Sequence, residues 1–222
     1  MGSSTANTWY LINQWDYGFL IILPFLATYF FLEQRARSLY YIFLLAFCFG
    51  LTTVMQLVYM QPRPYWVETR VTIYDCSNSF GNPSGHCLTV TAIVIAAFLD
   101  YNKWAMANPD SKFSFLYVRG VLLLVFLSAV GMMCYARVLL GAHSLNQVYL
   151  GVQYGIWLAF TFHWLVREEL IKFAKDVIEG REKEIAEIGM YSSFYLGAVL
   201  VLQAINFEAA KFKGTDPAWS TN

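Results

Sequence analysis

The sequence predicts an all-α membrane protein, a bundle of six transmembrane helices in one domain over residues 1–222. Three observations predict it. The chain is 58% hydrophobic and only 14% charged, with a mean hydropathy of +0.45, less charge than soluble domains carry. Six apolar stretches approach the roughly 20 residues that span a hydrocarbon core. Three short polar segments, each at the edge of an apolar stretch, fall on one face of the bundle that results.

By hydropathy the stretches are residues 17–32, 39–59, 88–99, 115–135, 145–166 and 191–207. A turn at 33–38 joins the first two, and a polar loop at 61–85 leads to the third. The third is short until His86 and Tyr101 are included at its ends. The segment from Arg137 to His143 joins the fourth and fifth. Within 167–187, Leu170, Ile171, Ala174, Val177 and Ile178 recur at helical spacing. That predicts an amphipathic surface helix or the solvated end of the fifth span, in preference to a docking site for a partner.

Six spans put both termini on one side. Arg35, Arg37, Lys103, Lys112, Arg119, Arg167, Lys172, Lys175, Arg181 and Lys183 then lie on the other side. Only Arg63, Arg70, Arg137, Lys211 and Lys213 share the side of the termini. The positive-inside rule makes the richer side cytoplasmic, or matrix-facing in a mitochondrion. The termini and all three polar segments are expected on the non-cytosolic side, in endoplasmic reticulum or mitochondrial inner membrane.

Composition also excludes. A net charge of zero leaves no basic footprint for nucleic acid. Cys48, Cys76, Cys87 and Cys134 lack metal-ligand spacing and read as small packing residues, although Cys76, in a polar loop, could pair. No cleavable signal, transit segment or myristoylation pattern is expected at the N-terminus. No Asn-x-Ser/Thr acceptor occurs, so glycosylation is silent on sidedness.

The polar segments carry the chemistry. Arg63-Pro64-Tyr65-Trp66 follows the second span. Alone, its arginine reads as a side chain snorkelling to headgroups; otherwise it is a guanidinium fork for phosphate oxygens. Asn82-Pro83-Ser84-Gly85-His86 opens the third span as a capped helix start. The same geometry makes an anion site from first-turn N–H groups and the Ser84 hydroxyl, with Gly85 admitting close approach. From Arg137 the chain runs to His143, Ser144 and Gln147. His143 and Gln147 share a helix face, so Gln147 is expected to accept one ring proton of His143 and leave the other nitrogen free to attack. Two of the chain's three histidines fall in these segments.

Together these residues resemble the type-2 phosphatidic acid phosphatase (PAP2) superfamily, whose pattern is lysine seven residues before Arg-Pro, then Pro-Ser-Gly-His, then Ser-Arg, five residues, His, three residues and usually Asp. The resemblance covers residues 56–147 and the six-helix core. Arg63-Pro64-Tyr65-Trp66, Ser84-Gly85-His86-Cys87, Ala142-His143 and Gln147-Val148 look most like the glucose-6-phosphatase branch, which has glutamine at the last position. The resemblance implies catalysis by His143 as nucleophile, His86 as acid and base, and Gln147 as orienting partner. It implies phosphate binding by Arg63, Ser84, Gly85 and Arg137, with no cofactor and no metal. Two positions depart. Gln56 stands at the lysine position and Ala136 at the serine. Losing one such donor typically costs about 10²–10³ in rate. Arg70 is the candidate to supply the missing charge.

Two functions are therefore expected to compete. One is a membrane phosphomonoesterase acting on a phosphorylated lipid or small metabolite. The other is a catalytically weakened accessory subunit of a large membrane assembly, such as a respiratory-chain complex. A transporter ranks below both, because the polar groups sit at span ends and not at the midplane.

Overall fold

The computed structural model describes residues 35–72, 77–179 and 182–213, with no strand among them. Helix α1 is Arg35–Tyr59, α2 a single turn at Pro64–Val67, and α3 Gly85–Ala107. A 3₁₀ turn at Lys112–Ser114 precedes α4, Leu116–Leu139. Then come α5, Leu145–Thr161, α6, Arg167–Ile178, and α7, Glu182–Lys213. Between α5 and α6 the backbone stays helical but widens into a π turn at Phe162–Val166.

Local chemistry sets these boundaries. Pro64 opens α2, where its missing N–H is no loss. Beyond α4, Gly141 takes a φ of 69° and its N–H reaches Val138 O at 3.0 Å. Only glycine enters that left-handed stop without strain. Ser144 and Gln147 form a reciprocal capping box at the start of α5. The third apolar stretch is not short: α3 has 23 residues. Thr89, Thr91 and Asp100 lowered its hydropathy, yet all three are buried inside the bundle.

Among the described residues, four regions are long and apolar enough to cross a membrane: Arg35–Val67, Gly85–Ala107, Leu116–Leu139 and Gly189–Lys211. Of the six expected spans, these four are the ones that the described residues show. The expected first span, 17–32, lies outside the described residues. The fifth falls on α5 and the π turn, and α5 alone has 17 residues. The expected segment 167–187 is divided, because α6 ends at Ile178 and Glu182 already begins the 32-residue α7.

The core lies among α1, α3 and the α5–π segment, around Tyr40, Leu44, Leu88, Ala92, Leu158 and Phe162. Gly151 and Gly155 bring α5 against α3. A Cβ at either would stand 2.6 Å from a carbonyl oxygen, of Ser84 and Leu88 respectively. Small residues four apart let two helix backbones approach in this way inside a membrane. By contrast, α4 and α7 leave Leu116, Leu124, Leu196 and Leu200 exposed. Such apolar surface on outer helices suits a hydrocarbon surrounding.

The connections place function at the ends. The C-terminal ends of α1 and α4 and the N-terminal ends of α3 and α5 meet at one end of the bundle. At the other end Asp100 of α3 accepts from Tyr41 at 3.0 Å and from Arg167 at 2.6 Å. His163, in the π turn, lies 3.3 Å from the same carboxylate.

Candidate active site

His143 occupies the turn between α4 and α5 and is 3% exposed. Its Nδ1 lies 2.8 Å from Gly81 O. A carbonyl only accepts, so Nδ1 carries the proton and Nε2 keeps its lone pair. Nε2 lies 3.2 Å from Nη1 of Arg63. The ring is thus fixed by a backbone acceptor on one side and faces a guanidinium on the other.

Arg63 follows α1 and is 4% exposed. Nε donates to Ser79 O at 2.7 Å, Nη1 to Ala142 O at 3.0 Å, and Nη2 to the Ser77 and Ser79 hydroxyls at 3.0 Å each. The guanidinium therefore ties the loop before α3 to the turn before α5.

Ser84 is the N-cap of α3 and is fully buried. Its hydroxyl makes no cap bond, which leaves the first-turn amides from Gly85 onward as donors at a helix start. Its own N–H donates to Gln147 O at 3.0 Å. His86, in the first turn of α3, is half-buried, and Arg137, His143 and Arg63 act on it electrostatically. Arg137, in the last turn of α4, is 2% exposed and its carbonyl accepts from the His143 amide at 3.3 Å. Arg63, Ser84, Gly85, His86, Arg137 and His143 thus meet at one end of the molecule.

Electrostatics favour a neutral His143. Burial first, then the charges of Arg63 and Arg137, hold the imidazole well below its usual range. The hydrogen bonds of Gly81 and Gln147 pull weakly the other way.

Gln147 is the residue expected to orient His143. Nδ1 of the ring lies on Gly81 O, and the Gln147 side chain acts on the same ring. The Gln147 side chain donates to Pro62 O at 2.8 Å and accepts from the Ser144 amide at 3.2 Å. It packs on Gly81 so closely that a Cβ there would meet its amide at 2.6 Å. Gln147 therefore joins the three polar segments beside His143 and Gly81. The Ser-x-x-Gln spelling of a capping box carried that signal.

The two departures differ in kind. Gln56 is buried, donating to Pro83 O at 3.3 Å and accepting from Asn206 at 2.8 Å. Ala136 is buried beside Arg137. Arg70 does not replace the missing charge: its side chain is 86% exposed and pairs with Glu68 at 2.8 Å. Cys48 and Cys87 are buried free thiols and Cys134 is half-buried; Cys76 lies outside the described residues. Asn206, in a lipid-facing stretch, is the residue that sequence reasoning missed.

With that geometry in place, the family comparison is decisive. A family model described as the PAP2 superfamily matches residues 37–170, well over half of the chain. The chain belongs to the PAP2 superfamily. No curated protein and no solved structure matches it. The match begins in α1 and ends in α6. It therefore holds all three polar segments of this PAP2 chain, while Asn206 on α7 lies beyond it.

Proposed function

We propose that the chain is a membrane phosphomonoesterase that hydrolyses a phosphorylated lipid or small metabolite through a phosphohistidine on His143. The observation that carries this reading is the His143 ring, with Nδ1–H on Gly81 O and an unprotonated Nε2 that accepts from Arg63 Nη1. Nε2 attacks phosphorus, and the bond from phosphorus to the leaving oxygen breaks. His86 gives that oxygen its proton. In the second step His86 takes a proton from water, the water oxygen bonds to phosphorus, and the P–N bond breaks to release phosphate. Arg63, Arg137, Ser84 and the Gly85 amide hold the equatorial oxygens as charge grows on them.

Arg63 now spends its N–H groups within the chain, so an arriving phosphate must exchange with serine hydroxyls and His143 for them. The glucose-6-phosphatase-like resemblance and the positive-inside count support a small or lipid phosphate reached from the non-cytosolic side. Six spans, with 17–32 as the first, belong to the same proposal. Purified full-length protein should release phosphate from short-chain phosphatidic acid or a sugar phosphate, and His143→Ala should remove that release. Equal background rates for both proteins would end the enzyme reading.

The saturated Arg63 favours a second reading. With Gln56 and Ala136 at two motif positions, the same bonds serve a non-catalytic scaffold in a larger membrane assembly. Mild solubilisation distinguishes the two. Co-migration with a large complex and no phosphatase activity supports the scaffold.

A further inference from the structure

We infer that Asn206 is a positioning residue for the active site, acting through Gln56 and the turn at residues 80–84. The inference rests on the phosphatase reading and deepens it. Helix α7 turns most of its large side chains outward, yet Asn206 is 3% exposed. A buried amide on a membrane helix is costly unless its polar atoms are satisfied, and such residues mark function.

Here both ends of the amide are used. Nδ2 donates to Gln56 Oε1 at 2.8 Å. Oδ1 accepts from the Phe80 amide at 3.5 Å. Gln56 passes the connection on, donating from Nε2 to Pro83 O at 3.3 Å. The two amides therefore grip the turn at Phe80 and at Pro83. Between and beside those points lie the atoms that the chemistry needs: Gly81 O, which fixes the His143 ring, and Ser84, which starts α3.

The consequence is a coupling between the last helix and the nucleophile. Neither Asn206 nor Gln56 is placed on the substrate. Each acts by holding the carbonyl that orients His143 and the helix start that faces phosphate. A displacement of that turn by a fraction of an ångström lowers the rate of attack more than it lowers affinity.

The test uses full-length protein in detergent with short-chain phosphatidic acid, and follows amide hydrogen exchange over residues 77–88. Asn206→Leu keeps the side chain's size and removes its polarity. Its kcat should fall about tenfold with KM changed about twofold or less, and residues 77–88 should exchange faster. The exchanged pair, Gln56→Asn with Asn206→Gln, restores both amides and should recover most of the rate. A packing role alone predicts the reverse, with Asn206→Leu near wild type and no rescue by the exchange.

Should Asn206→Leu fold poorly, Gln56→Met with Asn206→Leu removes both side-chain amides together and is read in the same way. Wild-type kcat and unchanged exchange at 77–88 in these variants would overturn the inference while leaving the phosphatase reading intact. A wild type that releases no phosphate overturns the phosphatase reading instead. Hydrogen exchange alone then decides whether Asn206 holds the turn.

Discussion

His143 shows how one side chain is given a chemical role by two contacts of opposite kind. The Gly81 carbonyl chooses which nitrogen carries the proton, and burial with two arginines keeps the ring neutral. The linkage has a definite sign. The folded value lies below the ordinary value of about 6.5, so protonation opposes folding. The contribution to stability is full above that ordinary value and is lost as pH falls below it, through the depressed folded value. In an NMR titration the His143 ring should therefore remain neutral at pH values where exposed histidines are already half charged. Arg63→Gln should raise its midpoint only in part, because burial is the larger cause. A midpoint at or above the ordinary value in the wild type contradicts this account. The convergence of His143, His86, Arg63 and Arg137 at one end of the bundle was legible, because their residue types and spacing are unusual at span ends. The share of Gly81 O in orienting His143 was not legible, because spacing does not reveal a backbone acceptor. Asn206 was hidden in an apolar run, where hydropathy averages a single amide away.

At the scale of elements, the candidate active site depends on how closely α5 approaches α3. Gly151 and Gly155 permit that approach, and Ser84 lies at the contact. Gly155→Val places a branched side chain against Leu88 O and the Thr91 side chain. Overpacking of this kind costs about 1–3 kcal/mol, read as a lower thermal midpoint. It also moves the start of α3 away from α5, so kcat should fall as well. An unchanged midpoint would show that the helices are less tightly joined than described. The helices themselves were readable from hydropathy except where polarity is buried. Buried Thr89, Thr91 and Asp100 made α3 look short, and the π turn at Phe162–Val166 has no signature that hydropathy registers. The boundary between α6 and α7 was missed because a charged, helix-favouring segment reads as continuous.

The whole molecule separates its chemistry from its tether. At the end opposite His143, Asp100 binds Tyr41 of α1 and Arg167 of α6, and both partners of the ion pair are under one tenth exposed. Removing one member of a buried pair costs about 3–5 kcal/mol. Asp100→Asn should thus lower the thermal midpoint while the folded fraction keeps its kcat; loss of kcat without loss of stability would place Asp100 in the chemistry. All-helical membrane architecture and PAP2 membership followed from composition and three short segments. The number of spans did not, since one stretch lies outside the described residues and another is built from two helical forms. The central claim is that Nε2 of His143 accepts the phosphoryl group. The most direct measurement is rapid acid-free quenching of full-length protein with ³²P-labelled phosphatidic acid, followed by peptide mapping. The account predicts an acid-labile, base-stable label on the peptide that contains His143, absent in His143→Gln. Phosphate release with no such label, or a label on another residue, would contradict it.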